Sequence, residues 1–159
     1  MNISPGPDLP GRPSPVGARR RARERALELL YEAETKDVAP HQVIEELPIA
    51  PEPYAVELVL GVERLGDKVS DLLSLHATGW AVDRMPVIDR CLLKMATFEL
   101  LDELEVPVAV VLDEAVELAK SYSTEDSGRF VNGVLSAIAP KVREIEPEKT
   151  SAVSPNWLE

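Results

Sequence analysis

Five arginines fall within seven residues: Arg19, Arg20, Arg21, Arg23 and Arg25. A guanidinium stays charged, presents planar donors that match a phosphate, and offers a flat face for stacking on a base. At three- and four-residue spacing such charges repel one another along a helix. A polyanion removes that cost and releases counterions as it binds. A nucleic acid is therefore the ligand this run suits. Other uses of the same residues are a solvated helix start, a targeting patch, or a salt-bridged homodimer facing acidic helices. Single-stranded RNA fits better than duplex DNA, because an arginine-rich segment tracks a flexible backbone easily. Specific DNA readout calls for a positioned recognition helix, and no helix-turn-helix pattern is evident.

Little else in the chain offers chemistry. A single cysteine, Cys91, excludes an internal disulfide and a multi-cysteine metal site, and two histidines, His41 and His76, give a relay little material. Cys91 lies in a wide apolar band and reads as an inert core thiol. The carboxylates at Glu99, Asp102, Glu103 and Glu105 cluster, but without histidines or a pocket pattern they read as a solvated helix end or a partner-binding face. Phosphate-cradling, dinucleotide-binding and nucleophile-elbow motifs are missing. No catalytic residue, cofactor or metal is expected. No apolar run is long enough to cross a bilayer, and the opening MNISPGPDLP lacks a basic stretch followed by an apolar one, so a cytoplasmic protein is expected.

The net charge of −11, taken as an average, argues against a polyanionic ligand. Its distribution resolves the conflict. Residues 1–25 hold six arginines against Asp8 and Glu24, a net of +4, while the remainder holds 11 basic and 26 acidic side chains, a net of −15. This segregation suggests a basic arm on an acidic body, the body suited to a basic protein partner.

Helices must position the arm. Residues 1–17, with five prolines and three glycines, read as a disordered leader. From residue 18, Ala22, Ala26, Leu29 or Leu30, and Ala33 recur at helical spacing, so the basic stretch runs directly into an amphipathic helix. Pro40 opens a short second helix that ends near Pro48. Pro53 opens a long third one, with Leu58, Val62, Leu65, Val69 and Leu72 stepping by four and three, and Gly61 and Gly66 as close-contact positions. Gly79 separates this half from the next. Ile88, Leu92, Leu93, Met95, Ala96 and Leu100 form a band wide enough for a central helix. Val106-Pro107 breaks it, and a further amphipathic helix runs past Tyr122. Thr124 reads as an N-cap, with Glu125 and Asp126 in the first turn and Gly133 as another close-contact position. Pro140 bends or restarts this last helix, and residues 146–159 form a loose tail. No strand signal is present. The expected fold is an all-α compact bundle of about six to seven helices in two small subdomains, residues 18–78 and 80–145.

Three stretches resemble the NusB family. ARRRARERALELLY (18–31) is similar to the family's arginine-rich opening; MPVIDRCLLKMATFELL (85–101) is similar to its central helix. DEAVELAKSY (113–122) followed by STEDSGRFVNGVL (123–135) is similar to its C-terminal signature. The likeness spans about residues 18–143. It implies a non-enzymatic RNA-binding domain that binds the boxA element of ribosomal RNA leader transcripts. The ribosomal protein NusE would join it, within an antitermination complex on RNA polymerase. On the resemblance, Arg19, Arg20, Arg21 and Arg23 match the RNA-contacting run, and Tyr122, Asp126 and Phe130 match aromatic, acidic and aromatic positions near bound RNA. Tyr122 and Phe130 can equally be core residues, and Asp126 a helix-dipole partner or a group that tunes affinity by repelling phosphate. Arg25 lies outside the matched run. The Pro-rich leader departs from the family pattern. Kinship to the RNA-binding domain of cytosine methyltransferases is not expected to bring catalysis, since these 159 residues leave no room for a catalytic domain. The alternative reading is a helical scaffold or homodimer with the arginines in its interface; a homodimer that masks the run from RNA is compatible with either.

Overall fold

The computed structural model describes residues 15–143, with side chains from residue 17 onward, so most of the leader and the tail from residue 146 lie outside the described residues. Within that span there are seven α-helices, one short 3₁₀ turn and no strand: α1 Pro15–Lys36, α2 Pro40–Glu45, α3 Pro53–Arg64, α4 Gly66–His76, α5 Val87–Asp102, α6 Val108–Tyr122 and α7 Glu125–Val142, with the 3₁₀ turn at Val82–Arg84. The all-α expectation holds.

α1 begins three residues earlier than the composition change suggests, with Pro15 supplying the first helical position. It stops at Asp37, whose φ of 54° is left-handed. There the Val38 and Asp37 amides donate to the carbonyls of Ala33 (3.0 Å) and Glu34 (3.2 Å), a closed C-terminal cap. α5 is the central helix expected from its wide apolar band, and it packs against α1, α3, α4, α6 and α7. Buried apolar residues from both halves of the chain form one cluster around it. α6 and α7 pair through a tight corner capped by the Thr124 hydroxyl, which accepts from the Ser127 amide at 3.0 Å.

Three local expectations are corrected. The long third helix is two: the backbone turns at Leu65 (φ −96°, ψ 16°), where Gly66 restarts the helix with no side chain near its Cβ position. Gly66 is thus a break rather than a close contact. Gly133 likewise faces open space, whereas at Gly61 an added Cβ would lie 2.2 Å from Phe98 Cζ, so only glycine lets α3 approach α5 there. Finally, α7 runs through Pro140 to Val142 without restarting.

Candidate RNA-binding surface

Arg23 lies on the same side of α1 as Ala26, Leu27 and Leu30, so the helix carries its guanidinium inward, and the residue is only 3% exposed. Nε and Nη2 of Arg23 each donate to one carboxylate oxygen of Glu99 at 2.9 Å. The Tyr54 hydroxyl, from α3, donates to Glu99 Oε2 at 2.8 Å. Burial, and then the adjoining Glu99 carboxylate, push the Tyr54 phenol well above its ordinary pKa, so it remains a donor at neutral pH. This bidentate pair with its third partner locks α1, α3 and α5 together. The expectation of Arg23 as an RNA contact meets a geometric obstacle: two of its nitrogens are taken and the group is shut off from solvent.

The lock presents Arg19 to solvent. Its guanidinium carbon lies 3.8 Å from the centre of the Tyr54 ring, a cation–π contact that fixes the arginine along the surface. Arg20 points to the α6 side, where Nε and Nη2 donate to the Glu114 carboxylate at 3.1 and 2.8 Å. The Arg20 hydrogen bonds hold Glu114 below the usual carboxylate range. Arg21 is exposed and pairs with no described residue, and exposed Arg25 pairs only with Glu28, at 3.1 Å. Arg19 and Arg21 are the cations most open to a phosphate, and Arg20 is half-committed.

The C-terminal residues gather at the α6–α7 corner. Tyr122 is exposed, ends α6, and lies within electrostatic reach of Glu24 and Glu28 on α1. The Asp126 carboxylate is solvent-exposed and makes a loose 3.4 Å contact with Arg129. Phe130 is half-buried and tilts against Trp80, with ring centroids 6.1 Å apart. Under the corner, the Ser127 hydroxyl donates to Asp89 on α5 at 3.0 Å and shares a 2.8 Å bond with Ser123. The Asp89 Oδ1 atom is buried without a hydrogen-bond partner.

The carboxylates near the end of α5 are not a uniform solvated end. Glu99 and Glu103 are buried. Burial, with hydrogen bonds that its protonated carboxyl donates to the carboxylates of Glu57 and Glu105, pushes the Glu103 carboxyl far above its ordinary range, so it stays protonated at neutral pH. Asp102 is the exposed member, paired with Arg64 at 2.8 Å. Arg143 closes the helix by donating to the carbonyls of Leu100, Glu99 and Glu103 at 3.0, 3.0 and 2.8 Å, and to that of Val106. Cys91 is buried, and burial, then the nearby Glu34 carboxylate, push its thiol up to about 12, which leaves it inert. Among the described residues no group of three or more histidine, cysteine or carboxylate side chains is placed to hold a metal, and no helix is long and apolar enough to cross a membrane.

A small all-helical bundle with an arginine-rich first helix, braced on a central helix by a buried ion pair, is the class that the geometry defines. Residues 20–140 match the NusB family. The chain is 42% identical over 128 residues to the transcription antitermination protein NusB of Kineococcus radiotolerans, covering 78% of this chain and 94% of that protein. It is similar to the structure of T. maritima NusB (TM-score 0.73, 34% identity, 84% of this chain and 96% of the other). It is also similar to a chain in the crystal structure of antitermination factors NusB and NusE in complex with dsRNA (TM-score 0.65, 30% identity, 78% and 97%). The chain belongs to the NusB family.

Proposed function

We propose that this protein is an RNA-binding transcription antitermination factor. It binds a boxA-like RNA of ribosomal RNA leaders with the ribosomal protein NusE, and acts on elongating RNA polymerase. The observation that carries the reading is the solvent-facing set of Arg19, held over Tyr54, Arg20, held by Glu114, and exposed Arg21, all on the helix that the Arg23–Glu99–Tyr54 lock fixes. The relatives' names, and the NusB–NusE assembly with dsRNA, support it. Single-stranded RNA is the form preferred here, because exposed arginines with aromatics nearby serve phosphates and unstacked bases together. Arg19, Arg20 and Arg21 take phosphates, Tyr122 and Phe130 adjoin bases, Asp126 limits affinity by its charge, and Arg23 organises the arm from within. The acidic remainder of the chain suits the basic ribosomal partner.

The rival scaffold or homodimer would use the arginines against acidic helices of a second copy. Arg20 already finds its acidic helix within its own chain, which favours the RNA reading. Titration of labelled single-stranded and duplex RNA over a salt series tests it. With two to three phosphates neutralised, log K is expected to fall against log salt with a slope of roughly −1.5 to −2. That is shallower than the −3 or so implied if Arg23 also reached phosphate. A slope near zero, or affinity unaltered by alanine at Arg19, Arg20 and Arg21, sinks the reading.

A further inference from the structure

Aromatic residues are scarce, seven in 159, so where the fold leaves one in water is informative. Phe98 is buried in the core, and Tyr54 is spent on Glu99 and Arg19. Trp80 is different. It is 50% exposed, on a connection rather than a helix. That connection is held in place. Gly79 adopts a φ of 86°, the left-handed turn that swings the chain outward, and the Trp80 amide donates back to the Ala77 carbonyl at 3.3 Å. Downstream, Arg90 Nη1 binds the carbonyls of Val82 and Met85 at 3.1 Å each, and its other nitrogens are clamped by Glu34. These bonds fix the backbone on both sides of the half-exposed indole, and Phe130 is the contact of the ring itself. Its one ring neighbour among the described residues, Phe130, meets it at an interplanar angle of 56°, a tilted contact that does not cover the indole face as a parallel stack would.

The charges around the pair sort what can land there. Glu125 and Asp126 occupy the first turn of α7, one turn before Phe130, and disfavour a phosphate. An uncharged π-face suffers much less from them. We propose that Trp80, backed by Phe130, is a stacking step for an unpaired nucleobase, continuing past Tyr122 the path that begins with phosphates at Arg19 and Arg21. The path is short. Tyr122 faces Glu24 and Glu28, five and nine residues along α1 from Arg19, which is roughly 8–14 Å at 1.5 Å per residue. The inference rests on the RNA-binding reading and adds to it a site that separates base recognition from phosphate capture.

The test uses the full-length protein carrying Trp157→Phe, which leaves Trp80 as the single tryptophan. A U- and A-rich single-stranded RNA with a terminal dye reports binding by anisotropy, while indole emission reports stacking in the same titration. Quenching that saturates together with the anisotropy is expected, and the same backbone with abasic sugars should abolish it. Trp80→Ala is expected to weaken binding roughly 5- to 150-fold with an unchanged salt slope. Trp80→Phe should retain most of the affinity, and a circular dichroism melt of each variant shows that the fold is kept. RNA bound normally with no change in emission, or unaltered affinity in Trp80→Ala, overturns the stacking step and leaves the arginine arm standing. Emission that responds only to the ribosomal partner protein, and not to RNA, overturns it in favour of a protein contact. No anisotropy change at all sinks the RNA reading and this step together.

Discussion

Arg19 and Arg23 are one helical turn apart on the same face of α1, and both guanidiniums lie near the Tyr54 ring. Yet Arg19 is exposed while Arg23, a turn further along, is buried. Arg23 shares its stripe with Leu27 and Leu30 and is carried against α5; Glu99 on that helix is the counter-charge without which its burial would be prohibitive. Truncating one member of a buried pair strands the other, a loss of about 3–5 kcal/mol. Arg23→Ala is therefore expected to lower the melting temperature sharply, while Arg21→Ala leaves it unchanged and makes the salt slope shallower by about 0.7. Thermal melts beside RNA titrations check both, and a stable Arg23→Ala protein with weakened RNA binding would return Arg23 to the contact surface. Much of this was legible in sequence. The three-, four- and seven-residue steps from Arg23 to Ala26, Leu27 and Leu30 mark it as inward-facing, and Glu99 sits within the apolar band of α5. The density of arginines hid the first signal, and the apparent cluster of carboxylates hid the second. Tyr54 and Glu114 carried no local signal, since only tertiary packing brings them to α1.

Helix-scale features were readable where backbone chemistry decides them. Pro40 and Pro53 start helices, Val106-Pro107 lies in the break between α5 and α6, and Thr124 caps α7, whereas the start of α1 at Pro15 was hidden in the Pro-rich leader. The turn between α3 and α4 was not readable, because the apolar seam keeps its four-and-three rhythm from Leu58 to Leu72 across it. Periodicity reports which side is buried and is blind to a one-residue break that preserves the phase. Glycine is ambiguous for the same reason. Gly61, Gly66 and Gly133 look alike in sequence, but only Gly61 lies under an aromatic ring. Gly61→Ala places a methyl inside the Phe98 ring position and must push α3 from α5. The overpacking cost is about 1–3 kcal/mol or more, despite the better helix propensity of alanine. The matching change at Gly133, facing open space, is expected to be stabilising by up to about 1 kcal/mol. Denaturant midpoints for the pair test this directly, and equal shifts in the same direction would refute the close approach at Gly61.

Across the whole molecule, charge is segregated along the chain and also interlocked. The arm's Arg20 and Arg23 are tied to Glu114 and Glu99 of the acidic body, so the basic helix is held rather than repelled as an isolated unit. The body meanwhile carries an excess of carboxylates, and one of them, Glu103, escapes the crowding by keeping its proton. Burial between Glu57 and Glu105 pushes it up to about 8, against roughly 4.3 for an exposed glutamate. A carboxyl raised in the folded state holds a proton that the unfolded chain has already released between those two values. The folded state then binds more protons, so its stability falls as pH rises through the window. The contribution is fully present below about pH 4.3 and is lost as pH passes about 8. Glu103→Gln replaces the protonated carboxyl with a neutral group that can donate to either neighbour and does not titrate. Melting curves at half-unit steps from pH 5 to pH 8.5 are expected to show the variant gaining on the native protein as pH increases. Parallel curves across that range would mean that Glu103 titrates normally and that the corner is solvated.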